Sequence, residues 1–265
     1  MASLLHVRQT GRRMTIVLDD PSRQNALSAE MVGEIEGALD AAPPGLAALV
    51  IQGANGAFSA GADLKSLSGA LARPPEPGEA DPVEALNAAG GRFFARFAEL
   101  PYVTIAAVDG PAVGGGMGLA AAADIVVATQ RARFALTETS LGIPPAQIAP
   151  HLVARLGERL GRRLALTGAR LDGRDAAALG LADFYCDSDA ERDARLEALV
   201  ASVERCAPGA NAEAKRLFRA CRTQTSNAYI ETAAKSFAEA LRGPEGREGL
   251  SAFMEKREPS WTRSA

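Results

Sequence analysis

The chain has 265 residues, of which 47% are hydrophobic and 23% charged, so it can bury a large core and is not disordered as a whole. Its formal net charge of -3 excludes a global positive field that would attract nucleic acid or an anionic membrane. Three cysteines without a CxxC spacing indicate neither a disulfide framework nor a zinc site, and no apolar run is long enough to cross a bilayer. We expect a soluble, cytoplasmic protein without a bound metal.

The first third of the chain alternates short apolar runs with one helical pattern. Residues 14–18 and 46–52 are predicted strands, because each is a buried-type run that ends in turn residues. Residues 29–41 have apolar side chains at helical spacing, with Ser28 as the expected N-cap. Residues 72–82 contain four prolines and three acids, which predicts a surface loop.

The middle of the chain predicts a βαβ unit. Residues 103–110 form an apolar strand, followed by a glycine-rich turn, a helix and another strand at residues 124–129. After residue 149 the chain is rich in Ala, Leu and Arg, and helices are predicted throughout. These patterns predict an α/β core over residues 1–200 and a helical region over residues 201–265.

Two glycine motifs follow predicted strands. GAFSAGAD, at residues 56–63, lacks the lysine of a phosphate-binding loop, and PAVGGGMGLAAAAD, at residues 111–124, lacks the spacing of a dinucleotide-binding turn. What both motifs provide is a backbone N–H bounded by glycine, which can receive an anion or oxyanion. The alternative interpretation is that the glycines serve only tight turns and close packing of a helix on a strand.

Five ordered segments resemble the enoyl-CoA hydratase/isomerase, or crotonase, superfamily: NAL (25–27), FSAGADLK (58–65), DGPAVGGGMGLAAAAD (109–124), FALTETSLGI (134–143) and EGLSAFMEKR (248–257). The resemblance implies an α/β crotonase (ClpP-like) fold, a spiral of ββα units with a C-terminal helical trimerisation region, in a homotrimer or a dimer of trimers. It implies an acyl-CoA substrate, with coenzyme A as part of the substrate and no separate cofactor. No nucleic acid or membrane partner is expected.

The resemblance assigns three catalytic positions. The amides of Ala62 and Gly115 would donate to the thioester oxygen, and each such donor typically stabilises the transition state by ~3 to 4 kcal/mol. Glu138 would exchange a proton with the substrate, and burial near a thioester should raise the pKa of its carboxyl. The second glutamate of many hydratases falls at residue 118, which is glycine in this chain.

The resemblance also implies contacts with coenzyme A and the acyl chain. Arg23 and Lys65 would meet phosphates, while Phe253 and Lys256 would reach the coenzyme A of a neighbouring subunit. Phe253 and Lys256 are equally compatible with a helix core residue and a solvated charge. The remaining expected contacts are Ala60, Asp63, Leu64, Gly114, Gly118, Thr137 and Gln147.

The leading hypothesis is hydration of an enoyl-CoA. GIPPAQIAPHLVARLG, at residues 142–157, resembles branched glutaconyl-CoA hydratases of leucine or acyclic-terpene catabolism. A Δ3,Δ2-enoyl-CoA isomerase is the alternative, because it needs one carboxylate, and a non-catalytic acyl-CoA- or RNA-binding relative is a further alternative. His6 and His151 are too few and too dispersed for a metal site, and His151 is predicted to be structural.

Overall fold

The computed structural model describes residues 3–72, 75–76 and 78–262. Arg73, Pro74 and Pro77 of the predicted loop lie outside the described residues, as does the side chain of Leu64. The strands are β1 (Leu5–Thr10), β2 (Arg13–Leu18), β3 (Ala48–Gly53), β4 (Val103–Val108), β5 (Pro111–Val113), β6 (Ile125–Thr129), β7 (Arg133–Ala135), β8 (Arg170–Asp172) and β9 (Phe184–Cys186). The helices are α1 (Ala29–Asp40), α2 (Leu64–Leu71), α3 (Pro82–Ala98), α4 (Gly115–Ala122), α5 (Ala149–Thr167), α6 (Gly173–Ala178), α7 (Asp189–Glu204), α8 (Pro208–Thr223), α9 (Ser226–Arg242) and α10 (Pro244–Met254). Short 3-10 turns cover Pro21–Arg23, Glu138–Leu141 and Ser260–Thr262.

The strands form two sheets. The larger sheet has the order β1-β2-β3-β4-β6-β9, in which β1 and β2 are antiparallel and every later pair is parallel. The smaller sheet has the order β5-β7-β8. Since β4 leads into β5 across two residues, and β6 into β7 across three, the chain steps twice from the larger sheet to the smaller one.

The central strands β3, β4 and β6 are mostly apolar because both faces of the larger sheet are covered. Leu49 and Ile51 belong to one hydrophobic cluster, together with residues of α1, α3 and α4. Ala48 and Val50 point the other way, into a cluster with Leu196, Val200 and Val203 of α7. Successive side chains of a strand face opposite sides, so a doubly covered strand shows no polar alternation.

The predicted strands and the helix of the first half are confirmed as β2, β3 and α1, whereas Pro82 of the predicted loop is the first residue of α3. Ser28 caps α1, and its Oγ accepts a hydrogen bond of 3.2 Å from the Met31 amide. The prediction that the chain is all-helical after residue 149 is wrong, because β8 and β9 lie in that region and β9 completes the larger sheet beside β6. Each of these strands has three residues, which is too short to show a periodicity of two in the sequence.

The C-terminal helices are attached to the core by polar contacts. Lys215 of α8 pairs with Asp124 at 2.6 Å and donates to the Tyr102 carbonyl at 2.9 Å. Beyond these contacts, α8 and α9 expose large apolar side chains, among them Phe218 and Phe237.

The predicted domain boundary at residue 200 and the predicted trimer stay predictions. Among the described helices, none is long and apolar enough to span a bilayer.

Candidate active site

Asn25 anchors the loop that leads into the site. Its backbone is left-handed, with φ of 57°, a conformation that Asn adopts more readily than most residues. The buried side chain accepts from the Asp20 amide at 2.7 Å and donates to the Ala57 carbonyl at 2.7 Å. Asn25 therefore ties the turn after β2 to the loop after β3, which holds the first glycine motif.

Gly61 brings the two glycine motifs into contact. It has φ of +87°, and a Cβ atom added to it would lie 2.3 Å from the Val113 carbonyl oxygen and 3.0 Å from the Gly115 nitrogen. Its own carbonyl accepts a hydrogen bond of 2.7 Å from Leu27. Only a residue without a side chain fits this position, so glycine is required here for both conformation and space.

The amides of Ala62 and Gly115 lie side by side as a result. A Cβ atom built on Gly115 would be 3.5 Å from the Ala62 nitrogen. Gly115 is the first residue of α4, where helical amides have no partner within the helix. Among the described residues, neither amide has an acceptor. Ala62 is exposed and Gly115 is partly exposed, so both residues reach the surface of the chain.

Glu138 lies beside these amides. A Cβ atom on Gly114, the residue before Gly115, would be 2.9 Å from Glu138 Oε1. The Glu138 side chain is half-buried, and its Oε2 is buried without a hydrogen-bond partner among the described residues. The structure thus brings together Ala62, Gly115 and Glu138, which are separated by up to 76 residues in sequence.

Burial raises the pKa of the Glu138 carboxyl above its ordinary value. Between the ordinary and the raised pKa the folded protein binds more protons than the unfolded chain, so the free energy of unfolding falls as pH rises through that interval. We expect Glu138→Gln to raise Tm at neutral pH, and this gain to vanish below the pKa of an unfolded glutamate. Thermal unfolding of both proteins across this pH range checks the prediction, and a difference independent of pH would contradict it.

Gly118, an expected substrate contact, is buried one helical turn after Gly114. A Cβ atom on Gly118 would lie 2.2 Å from Ile148 Cγ2 and 3.6 Å from Phe94 Cζ. The residue therefore packs beneath Ile148 and presents no free surface. Ile148 was not among the predicted site residues, although it lies next to Gln147 in the motif that was singled out.

The expected coenzyme A contacts have other partners in the single chain. Arg23 pairs with Asp20 and Glu30, each at 3.0 Å, and the hydrogen bond to Glu30 is the main cause that raises the pKa of its guanidinium. Asp63 caps α2, and a hydrogen bond from Ser66 lowers the pKa of its carboxyl. Lys65 is exposed on the first turn of α2. Asp63 thus orients the helix that carries Lys65.

The other expected contact residues lie in or just before α2, next to the 3-10 turn of Glu138, and just before α5. Ala60 donates to the Gln24 carbonyl at 2.9 Å, and Leu64 is the first residue of α2. Thr137 precedes Glu138 at the start of the 3-10 turn. Gln147 turns toward α3, where it donates to Asn87 Oδ1 at 2.7 Å.

Phe253 and Lys256 lie at the C-terminal end of α10 and just after it, and both are exposed. Phe253 is 82% exposed near the end of α10, which packs on α9. Lys256 follows α10, is exposed and has φ of 52°. Their predicted contact with a neighbouring subunit stays a prediction.

His151 packs against Phe94, one of the two side chains that lie next to Gly118. Its ring contacts the edge of Phe94 at a centroid distance of 6.0 Å, and burial lowers the pKa of the imidazole. The residue lines a cavity of about 930 Å³ between the core and α8. Ala62, Gly115 and Glu138 do not line that cavity. In the part of the chain that the structure describes, no cluster of His, Cys, Asp or Glu could hold a metal.

A model of the family described as enoyl-CoA hydratase/isomerase matches residues 12–264. The chain belongs to this family. The enoyl-CoA hydratase/isomerase family match thus covers both glycine motifs, Glu138 and the C-terminal helices. The family predicted from the five sequence segments is confirmed.

Similar proteins support the family and the fold. The chain is 35% identical over 253 residues to a putative enoyl-CoA hydratase of Thermus thermophilus, covering 95% of this chain and 98% of the relative. It is 30% identical to 2,3-dehydroadipyl-CoA hydratase of Escherichia coli, covering 98% and 99%. The solved structure of an enoyl-CoA hydratase/isomerase from Marinobacter aquaeolei superposes with a TM-score of 0.93 at 38% identity, covering 99% of this chain and 100% of that one. The predicted crotonase fold is confirmed.

Proposed function

We propose that this enzyme adds water across the double bond of an enoyl-CoA thioester, with Glu138 as its acid-base residue. The observation that carries the proposal is the proximity of the Glu138 carboxyl, which lies beside Gly114, to the amides of Ala62 and Gly115, which have no acceptor among the described residues. Addition of water to an α,β-unsaturated thioester develops negative charge on the carbonyl oxygen. Two preorganised N–H donors stabilise that charge, and a carboxyl group with a raised pKa can give and take a proton near neutral pH.

We propose a branched, carboxylated acyl chain of the glutaconyl type as the substrate. The support is the resemblance of residues 142–157 to such hydratases, together with the E. coli relative, whose name denotes a thioester of a dicarboxylic acid. Residues 144–148 of this segment lead from the 3-10 turn of Glu138 to α5, so the segment runs next to the proposed acid-base group. We therefore infer that this segment contributes to the part of the proposed site that binds the acyl chain.

A Δ3,Δ2-enoyl-CoA isomerase is the second candidate. Ile148 and Phe94 are apolar and fill the space at Gly118, where the two-glutamate hydratases carry their other carboxylate. Moving a double bond by one position requires a single group that removes a proton from one carbon and returns it to another. Glu138 alone satisfies that requirement.

A panel of acyl-CoA thioesters tests both candidates. We expect water addition to methylglutaconyl-type or crotonyl-type thioesters, detected as the mass of one water molecule in the product. Incubation in ¹⁸O-labelled water should place the label at Cβ. If double bonds move and no thioester gains water, the isomerase replaces the hydratase; if neither reaction occurs, both assignments are wrong.

A further inference from the structure

The glycine at position 118 is not required by its backbone. Gly118 lies inside α4, and its φ is outside the left-handed region, so any residue could adopt this conformation. Glycine also weakens the interior of a helix relative to alanine. Its presence in α4 therefore reflects the space around it.

Ile148 occupies that space. A Cβ atom at position 118 would lie 2.2 Å from Ile148 Cγ2 and 2.8 Å from Ile148 Cβ, distances that real Cβ atoms do not show. Ile148 is 4% exposed, and its carbonyl accepts hydrogen bonds from His151 and Leu152 at the start of α5. A buried, β-branched side chain on a fixed backbone has few other rotamers available.

Position 118 lies one turn of backbone beyond the residue that contacts Glu138. The Gly118 amide donates to the carbonyl of Gly114, the N-cap of α4, at 2.9 Å. The Cβ direction of Gly114 points at Glu138 Oε1. The side chain of a glutamate at position 118 would thus begin about 5 Å along the helix from the residue that contacts Glu138.

We propose that Ile148 is the residue that keeps this enzyme to a single acid-base carboxylate, because it fills the volume that a side chain at position 118 would need. Gly118 and Ile148 then form a coupled pair. Truncation of Ile148 should make room for a carboxylate at position 118, and the new carboxylate should accelerate water addition. The inference about acceleration rests on the proposed hydratase function, whereas the steric coupling does not.

The steric coupling is tested by unfolding measurements on Gly118→Ala, Ile148→Ala and the double variant. We expect Gly118→Ala to lower Tm in the wild-type background and to raise Tm, or leave it unchanged, in the Ile148→Ala background. Gly33→Ala is the matched control, since Gly33 lies inside α1 with nothing within 4 Å of its added Cβ. Equal effects of Gly118→Ala in both backgrounds would overturn the proposal. Because alanine is small, this comparison of single and double variants can still be made if larger side chains at position 118 prevent folding.

Water addition is then compared in Gly118→Glu/Ile148→Ala and Gly118→Gln/Ile148→Ala. Both double variants fill the same volume, and only the first supplies a carboxylate. We expect the Glu variant to hydrate crotonyl-CoA at least about tenfold faster than the Gln variant. Equal rates would overturn the claim that Ile148 excludes a catalytically useful carboxylate. If wild type adds no water to any thioester, the proposed function fails, and the unfolding cycle still decides whether Ile148 and Gly118 are coupled.

Discussion

Glu138→Gln should lower kcat by about 10²- to 10⁴-fold while an acyl-CoA thioester still binds, because the substitution keeps the shape of the side chain and removes its proton transfer. The carboxyl is half-buried beside Gly114, with one oxygen unpaired among the described residues. Initial-rate kinetics with the best thioester of the panel and calorimetric titration with a saturated acyl-CoA measure the two quantities separately.

Glu158→Gln is the matched control for this substitution. Glu158 lies on the exposed surface of α5, where it pairs with Arg162 at 2.8 Å, and such surface pairs contribute little to stability. We expect wild-type kinetics from this variant. A non-catalytic acyl-CoA-binding protein would instead show the same properties for wild type, Glu138→Gln and Glu158→Gln.

Gly61→Ala should reduce kcat/KM by about 10²-fold or more, because it displaces the backbone that aligns the amides of Ala62 and Gly115. The added methyl group would lie 2.3 Å from the Val113 carbonyl oxygen, and backbone atoms cannot move aside as a flexible side chain can. Tm should fall strongly, because an alanine in the left-handed backbone conformation lowers the free energy of unfolding by about 1–2 kcal/mol before the clash is counted.

Gly56→Ala separates the two causes. Gly56 also has a left-handed φ, +73°, but nothing lies within 4 Å of its added Cβ. We expect this control to lower Tm by about 2–8 °C and to keep its activity. If Gly61→Ala behaves like Gly56→Ala in both Tm and kcat/KM, the contact between the two glycine motifs does not position catalytic groups.

The proposed catalytic positions could be selected from the sequence because their requirements are local. Gly61 and Gly114 have left-handed backbones that glycine adopts without cost, so a tight turn after a strand is visible as a glycine motif. Glu138 follows a short apolar strand within a distinctive segment. The family resemblance assigns roles to residues in these segments, and the fold brings the segments together.

The surroundings of the site could not be predicted, because they depend on contacts between distant segments. Gln147 was expected at the substrate, yet its amide is held by Asn87 of α3, 60 residues earlier. Ile148 is an ordinary apolar residue in sequence, and its role arises only where α5 packs on α4. The short strands β8 and β9 are stabilised by pairing with β7 and β6, so their own residues carry little sequence pattern from which the strands could be predicted.

The two candidate reactions share one chemical step. In the proposed mechanism, water addition and double-bond migration both pass through an enolate, which the amides of Ala62 and Gly115 would stabilise and which proton transfer at Cα would form or consume. Both proposed reactions therefore require Glu138 to transfer that proton. Which reaction follows depends on whether water can approach Cβ of the bound thioester.

Exchange of the α-protons of butyryl-CoA in D₂O measures this step directly, since a saturated thioester can form the enolate and can neither add water nor isomerise. We predict that wild type incorporates deuterium at Cα and that Glu138→Gln incorporates none above the uncatalysed background. Glu158→Gln should exchange at the wild-type rate. Equal exchange by wild type and Glu138→Gln would show that another group moves the proton and would contradict the assignment of Glu138.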